Sequence, residues 1–219
     1  MTRFVLVHGA GGAAAYWSRV LPLLPDAAAV ELPPDAATWE ECVGVVRDAA
    51  DAGSVLVGQS MGAFVVALAA ASFPTSGVVL LAPMVPAPGE TAGAWWENTR
   101  HADAASEAAT GQGLDPAAVV PGPGFDGDVT FLHDVPREGL VEPPDPSWPP
   151  AALFDAPYPL EAWPDVPTRV LAARDDRLFP LPFVQRLARE RAGVEAEVLP
   201  GGHLVALAQP GAVAAALLA

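Results

Sequence analysis

Short apolar runs recur along the chain and are separated by stretches in which apolar residues are spaced three or four positions apart. The runs at residues 3–7, 54–57 and 77–82 are apolar almost throughout, which is typical of a strand buried on both faces. Strands are therefore predicted at residues 3–7, 27–32, 54–57, 77–82, 168–173 and 194–199. Because parallel sheets are covered on both faces, these runs favour a parallel sheet.

Helices are predicted between the strands. One begins at a capping box formed by Thr38 and Glu41, and another, at residues 63–70, is apolar on every face and is expected at the centre of the molecule. The predicted helices cover residues 17–24, 39–50, 63–70, 182–191 and 210–218. This alternation predicts an α/β fold with a doubly wound, mostly parallel sheet of about six strands.

The alternation stops between Pro83 and Pro167. This stretch holds sixteen of the 25 prolines and four of the 6 tryptophans, and so many prolines exclude central strands. We therefore predict a core of residues 1–83 and 167–219, with residues 84–166 forming an insertion that covers the carboxyl edge of the sheet. Within it, residues 89–110 are expected to be helical and residues 141–167 to be extended.

The charge of the chain excludes several classes of function. All 11 basic residues are arginines, against 26 acidic residues, which gives a formal net charge of −15. This balance argues against binding to nucleic acid or to anionic membranes. The absence of lysine excludes Schiff-base chemistry and a Walker phosphate loop.

The cysteine content and the N-terminus bear on the compartment. The single cysteine, Cys42, cannot form an internal disulfide and is interpreted as a small buried residue of a helix. No basic, apolar leader precedes the first strand, and no apolar run has the length of a membrane span. We therefore expect a cytoplasmic protein without membrane association, whereas the oligomeric state has no signature in the sequence.

The most informative motif lies between the third predicted strand and the all-apolar helix. Residues 58–62 read Gly-Gln-Ser-Met-Gly, which matches G-x-S-x-G in the strand–turn–helix context of a nucleophile elbow. Such a turn holds Ser60 in a strained conformation with its hydroxyl above the sheet, and the glycines leave room for neighbouring elements. The alternative is an ordinary glycine-bounded turn in which the serine caps the helix.

A base for Ser60 is the next requirement, because a serine hydroxyl is a poor nucleophile until its proton is taken. Histidine suits this role near neutral pH, and the chain contains His8, His101, His133 and His203. His203 directly follows the last predicted strand, and loops after parallel strands open on the same edge of a sheet. His203 is therefore predicted to be the base, the alternative being a solvent-facing loop histidine.

A carboxylate is expected to orient the base. Asp175 and Asp176 follow the predicted strand at residues 168–173, again at the carboxyl edge, and either could serve. The chain order of Ser60, an aspartate and then His203 is the order expected for this architecture.

Backbone N–H groups are the candidates for an oxyanion hole. The N–H of Met61 lies at the first turn of the helix after Ser60, and a second donor is expected from Ala10, or from Gly11, in the glycine-rich loop after the first strand. That loop could instead bind a phosphate, but its Gly-x-Gly-Gly pattern departs from the dinucleotide fingerprint. His8 is interpreted as holding this loop by a hydrogen bond to the backbone.

Further candidates line the expected substrate pocket. Trp95 and Trp96 of the insertion and Gly11 of the glycine-rich loop are predicted to lie there, and His133 is a further candidate because it could face the substrate. No cluster of His, Cys, Asp or Glu has the spacing of metal ligands. We therefore expect neither a metal nor a cofactor.

Together these motifs resemble those of the α/β-hydrolase superfamily. The resemblance is carried by His-Gly-Ala at residues 8–10 with Trp17, by residues 58–62, by Asp-Arg-Leu-Phe-Pro at 176–180 and by Gly-Gly-His at 201–203 with Pro210. His-Gly-Ala with a tryptophan at this spacing is similar to the branch that contains plant methylesterases and hydroxynitrile lyases, and to related bacterial serine hydrolases. The family pattern implies that Asp176, rather than Asp175, is the acid.

The resemblance implies an α/β-hydrolase fold and a serine hydrolase that cleaves a small, fairly apolar carboxylic ester, thioester or lactone through an acyl-enzyme on Ser60. Acyl transfer, a hydroxynitrile-lyase-type reaction and a ligand-binding receptor with negligible turnover stay open as alternatives. The lyases hold cyanide near a lysine, and this chain has none. The expected partner is a small-molecule substrate.

Overall fold

A computed structural model describes residues 2–136 and 149–219. Six strands form one sheet in the order β2-β1-β3-β4-β5-β6, and every pair of neighbours is parallel. The strands are β1 (Phe4–Val7), β2 (Ala27–Val30), β3 (Val55–Gln59), β4 (Gly77–Leu81), β5 (Thr168–Ala173) and β6 (Ala196–Leu199). The predicted α/β fold with a parallel, doubly wound sheet of about six strands is confirmed.

The strand order brings two loops together. The chain runs outward from β1 to β2 and then returns to the other side of β1 to form β3, and Val7 pairs with Gly58 in the register of β1 and β3. The loop after β1 therefore lies beside the turn that carries Ser60. In doubly wound sheets this change of direction marks the crevice in which ligands bind.

Helices lie on both faces of the sheet and in the insertion. They are α1 (Trp39–Ala49), α2 (Gly62–Ser72), α3 (Ala92–Asn98), α4 (His101–Gly111), α5 (Pro116–Val119), α6 (Ala151–Asp155), α7 (Leu181–Leu187), α8 (Val205–Ala208) and α9 (Pro210–Leu218). Buried residues of α1, α2 and α7 share one apolar cluster, and those of α8 and α9 share a second cluster on the opposite face. Helix α2 is buried along eight consecutive residues, as its all-apolar sequence predicts.

The stretch after the glycine-rich loop differs from the predicted helix. It forms two short 3₁₀ turns, Ala14–Trp17 and Leu21–Leu23, although Trp17 and Val20 are fully buried as expected. Pro22 has no backbone N–H to continue a helix, so the apolar residues reach the core through tight turns.

The insertion is helical over much of its described length. Helix α3 falls within the segment predicted to be helical, α4 extends one residue beyond it, and α6 occupies part of the segment predicted to be extended. The remainder of that prediction at residues 141–148 lies outside the described residues. Trp95 and Tyr158 belong to the same apolar cluster as residues of the sheet. The described insertion thus packs directly on the core, and the boundaries of 84 and 166 stay a prediction.

Three arginines of the core hold the insertion. Arg177 donates to the carbonyl of Val129 at 2.7 Å, and Arg186 donates to the carbonyl of Thr99 at 2.7 Å. A third, Arg191, forms an ion pair with Glu90 at 2.6 Å and also donates to the Val85 carbonyl at 2.9 Å. These charge-assisted bonds fix the insertion at separate points along its backbone.

No helix in the described ranges is long and apolar enough to cross a membrane.

Candidate active site

The turn between β3 and α2 places Ser60 in an unusual backbone conformation. Its φ is 52°, in the left-handed region that a residue with a side chain rarely adopts. A Cβ on Gly58 would lie 2.6 Å from the Gly62 carbonyl oxygen, and one on Gly62 would lie 2.6 Å from the His8 carbonyl oxygen. The glycines of the motif are therefore required by the close approach of strand, helix and neighbouring loop.

Ser60, His203 and Asp176 form a continuous chain of hydrogen bonds. The Ser60 hydroxyl lies 3.1 Å from His203 Nε2, and His203 Nδ1 lies 2.8 Å from Asp176 Oδ2. The three residues are 7%, 3% and 2% exposed in that order. A carboxylate on Nδ1 leaves the lone pair of Nε2 directed at the serine. The structure therefore brings these three predicted residues together from the ends of β3, β5 and β6.

The two adjacent aspartates have different partners. Asp176 Oδ1 accepts hydrogen bonds from the N–H groups of Leu178 and Phe179, both at 2.9 Å, which leaves Oδ2 for the histidine. Asp175 instead accepts from the N–H of Gly201 at 3.2 Å. Asp175 thus holds the loop that carries the base, whereas Asp176 contacts the base itself.

A contact from the insertion also supports the base loop. Asp134 Oδ2 accepts a hydrogen bond from the N–H of Gly202 at 2.6 Å. A Cβ on Gly202 would lie 2.7 Å from Cε1 of His133, so this histidine packs against the loop next to His203. It is not among the described residues that line the cavity at Ser60, where the sequence analysis expected it.

Gln59 links the elbow to the neighbouring loops. Its Oε1 accepts a hydrogen bond from Gly9 N–H at 3.0 Å, and its Nε2 lies 3.3 Å from His203 Nε2. Gln59 was not among the predicted site residues. Its position directly before the serine, at the end of a strand, is the only sequence signal for it.

The glycine-rich loop is fixed by His8, as predicted. His8 Nε2 accepts from the N–H of Leu32 at 3.2 Å, so Nδ1 carries the proton and donates to the Gly9 carbonyl at 2.9 Å. Burial lowers the pKa of His8, which keeps the ring neutral. Beyond it, Gly11 adopts a φ of 66°, which favours glycine.

A cavity of about 410 Å³ opens at Ser60. Its lining combines the elbow, the glycine-rich loop, the base and the insertion, and it consists of Ala10, Gly11, Gly12, Tyr16, Gln59, Ser60, Met61, Met84, Trp96, Pro121, Phe125, Phe131, Phe154, Leu178, His203 and Leu204. Both predicted oxyanion donors, Ala10 and Met61, are thus on its wall. No charged side chain belongs to this described lining, so the cavity suits an uncharged, apolar ligand.

The two predicted tryptophans have different positions. Trp96 lines the cavity, whereas Trp95 is fully buried behind it and donates from Nε1 to the Val85 carbonyl at 2.9 Å. Trp95 was predicted to line the pocket, but it packs in the interior instead, because helix α3 turns only one of the two adjacent rings toward the cavity. The rings of Phe125 and Phe131 from the insertion lie there as well, which the sequence analysis did not anticipate.

His101 supports the acid turn from the insertion. His101 is the N-terminal residue of α4. Its Nε2–H donates to the Leu178 carbonyl at 2.7 Å, and the N–H of the same Leu178 donates to Asp176. Its ring contacts Trp96 and Phe179 edge-on, and burial lowers its pKa. It therefore acts as a neutral hydrogen-bond donor within an aromatic cluster.

Over the described part of the chain, no three His, Cys, Asp or Glu side chains converge as metal ligands would.

The sheet is parallel and doubly wound. A strained serine follows its third strand, a histidine follows its last strand, and an aspartate lies between these two residues in the chain. These features define a hydrolase-type fold and site. The sequence model of the alpha/beta hydrolase family matches residues 4–216. The chain belongs to the alpha/beta hydrolase family. A comparison with curated protein sequences finds no significant match.

Solved structures with the same fold cover nearly the whole chain. A pyrethroid hydrolase from Sphingobium faniae is 21% identical with a TM-score of 0.72, covering 99% of this chain and 96% of its own. Polyneuridine aldehyde esterase is 19% identical with a TM-score of 0.76, at coverages of 100% and 98%. A methylesterase from Arabidopsis is 20% identical with a TM-score of 0.70, also at coverages of 100% and 98%. At these identities the likeness establishes the fold.

Proposed function

We propose that the protein is a serine hydrolase that cleaves a small, fairly apolar carboxylic ester, thioester or lactone through an acyl-enzyme on Ser60. The observation that carries this proposal is the unbroken chain of hydrogen bonds from the Ser60 hydroxyl through His203 to Asp176. This chain opens onto an apolar cavity in a member of the alpha/beta hydrolase family. Solved neighbours that are named as esterases agree with this class of reaction.

The geometry supports nucleophilic attack by Ser60. The serine hydroxyl attacks the carbonyl carbon of the substrate while His203 Nε2 takes its proton. Asp176 keeps the other ring proton on Nδ1 and stabilises the imidazolium that forms. The histidine then passes the proton to the departing alcohol or thiol, which leaves the acyl group on the serine.

Backbone donors stabilise the negative charge that develops on the carbonyl oxygen. The N–H of Met61 lies at the start of α2, where the helix dipole favours an anion. The N–H of Ala10 is the second donor that we propose. Since the His8 hydrogen bonds and the contact of Gln59 with Gly9 fix the loop around Ala10, this donor is held before the substrate arrives.

Water completes the reaction. His203 takes a proton from a water molecule that attacks the acyl group, and the carboxylic acid leaves as Ser60 regains its proton. The size of the cavity, about 410 Å³, limits the substrate to a small ester. Its apolar walls exclude charged substrates, and a formal net charge of −15 repels anionic ones.

The proposal is tested by replacing the nucleophile. Ser60→Ala should lower kcat for 4-nitrophenyl esters by a factor on the order of 10³ or more, because the covalent route is lost. Ser76→Ala is the matched control, since Ser76 lies at the opposite edge of the sheet and its loss should leave kcat within about twofold. Retention of turnover in Ser60→Ala within a few-fold would reject the proposal.

A labelling experiment separates an enzyme from a receptor. A fluorophosphonate probe should modify the wild-type protein and not Ser60→Ala, as judged by intact-protein mass spectrometry. Labelling of Ser60 without hydrolysis of any ester in a panel of acetates, butanoates and lactones would favour a ligand-binding receptor over an esterase.

A further inference from the structure

Tyr16 is a polar residue of the cavity wall that the proposed mechanism does not use. The side chains of the described lining that can form hydrogen bonds are Tyr16, Gln59, Ser60, Trp96 and His203. Ser60 and His203 carry the reaction, and the Gln59 amide is bonded to Gly9 N–H and lies against His203. The hydroxyl of Tyr16 and the indole N–H of Trp96 are therefore the side-chain groups that can still contact polar atoms of a bound molecule, and Tyr16 is the one joined to the segment that follows His203.

The hydrogen bond that Tyr16 makes leaves its proton available. The N–H of Ala206 donates to the phenol oxygen of Tyr16 at 3.3 Å, so the oxygen is an acceptor there. A phenol that accepts from a backbone N–H still carries one O–H to donate. Tyr16 is 5% exposed, and burial raises its pKa, which keeps the hydroxyl protonated as a donor.

The position of Tyr16 relates it to the base. Ala206 follows His203 by three residues, and Leu204 between them lines the cavity. His203 must protonate the departing alcohol, so the alcohol portion of the ester lies on its side of the site.

We propose that Tyr16 determines specificity by donating a hydrogen bond to an acceptor oxygen in the alcohol portion of the substrate. Preferred substrates then carry an ether, carbonyl or hydroxyl oxygen in that portion of an otherwise apolar ester. The proposal rests on the proposed esterase function. A buried donor without an acceptor in the complex costs binding free energy, so esters without such an oxygen are bound less well.

Matched pairs of esters test this contact. In pentyl acetate and 2-ethoxyethyl acetate, one methylene of the alcohol chain is replaced by an ether oxygen with little change of shape. Methyl hexanoate and methyl 3-ethoxypropanoate make the same replacement in the acyl chain. The ratio of kcat/KM within each pair is measured for the wild type and for Tyr16→Phe, so that intrinsic reactivity cancels.

Tyr16→Phe should lower kcat/KM for 2-ethoxyethyl acetate by about 3- to 10-fold relative to pentyl acetate, as expected for one neutral hydrogen bond. The acyl pair should show no such change. Tyr158→Phe is the control, because Tyr158 is a buried tyrosine outside the described lining whose hydroxyl donates to the Phe64 carbonyl at 2.6 Å. It should leave both ratios unchanged even where it lowers the melting temperature.

The outcomes separate this proposal from the one it rests on. Equal loss for both alcohol-pair esters, no loss at all, or a selective loss in the acyl pair would each overturn the role of Tyr16 while Ser60-dependent hydrolysis stands. Wild-type protein that hydrolyses none of the four esters, with no fluorophosphonate labelling of Ser60, would overturn the esterase proposal and this one with it.

Discussion

Two cavities of similar size lie at opposite edges of the sheet. The one at Ser60 has a volume of about 410 Å³, and the other has about 380 Å³. The second is bordered by the amino-terminal ends of the strands, including Phe4, Val55 and Gly77, and by the C-terminal residues of α9. Both have mostly apolar walls. Volume alone therefore does not distinguish them.

The polar groups make the difference. At the carboxyl edge, the loops after β3, β5 and β6 bring a serine, an aspartate and a histidine together, and the glycine-rich loop after β1 lies beside them. At the amino edge, Ser76 and Arg169 are part of the lining, but Arg169 is bonded through two nitrogens to Glu197 at 2.7 Å. Since the carboxyl ends of parallel strands lie at one edge of the sheet, the polar residues that follow the strands come together at that edge.

The largest expected effect is on kcat, and it appears when a charged side chain is replaced at each edge in turn. Asp176→Asn should lower kcat for esters by a factor on the order of 10³ to 10⁴, because the amide no longer holds the proton on Nδ1 of His203. Arg169→Gln removes a charge at the amino-edge cavity and should leave kcat within about twofold. Steady-state kinetics on one activated ester measures both.

Comparable losses in the two variants would contradict the assignment of function to the carboxyl edge. Circular dichroism and melting temperature show whether either variant is unfolded. Asp175→Asn is a second comparison within the same turn, and its smaller effect would separate the loop contact to Gly201 from the contact to the base.

An intermediate effect is expected from truncating one apolar residue in each wall. Trp96→Ala should raise KM for apolar esters about tenfold, since the ring supplies apolar area to the bound substrate. Leu218→Ala makes a similar truncation at the amino edge, where the side chain is 53% exposed, and should leave KM unchanged. An unchanged KM in Trp96→Ala would show that substrate does not occupy this side of the cavity.

The smallest expected effect concerns stability in acid. Burial lowers the pKa of His8 and of His101, so the unfolded chain takes up protons below pH 6.5 that the folded chain does not. The stability that these neutral histidines contribute is fully present when the pH is above the histidine pKa of the unfolded chain. It declines as the pH falls below that pKa, by up to about 1.4 kcal/mol per pH unit for each histidine. No histidine belongs to the described lining of the amino-edge cavity.

His101→Gln tests this prediction. The free energy of unfolding, measured by urea titration at pH 7.5 and at pH 5.5, should fall less between the two values in the variant than in the wild type. Leu218→Ala, which alters the amino edge, should keep the wild-type difference. An equal decline in His101→Gln and the wild type would contradict the role of burial at this histidine.

The core could be predicted from the sequence because its signals are local. The predicted strands appear within two residues of their expected bounds, since a buried strand needs a short apolar run and little else. Ser60 and His203 follow from the same logic, because the strand ends fix the edge on which they lie. The choice between Asp175 and Asp176 needed the family pattern, as both occupy the same edge.

The insertion could not be predicted in the same way. Trp95 and Trp96 have equal claims in the sequence, and only the orientation of α3 decides which ring meets the cavity. Phe125 and Phe131 reach the cavity through long-range packing, which no spacing along the chain reveals. Tyr16 lies just before the helix predicted at residues 17–24 and had no predicted role, and the 3₁₀ turn Ala14–Trp17 presents it to the cavity.

The arginine contacts have a consequence for how a ligand arrives. Separating Arg177, Arg186 and Arg191 from the insertion requires the loss of several charge-assisted bonds at once, to Val129, Thr99 and Glu90. We therefore expect the described insertion to stay packed on the core when a ligand binds at the serine. The ligand then has to fit the cavity of about 410 Å³ as it stands, because the insertion does not lift away to enlarge it.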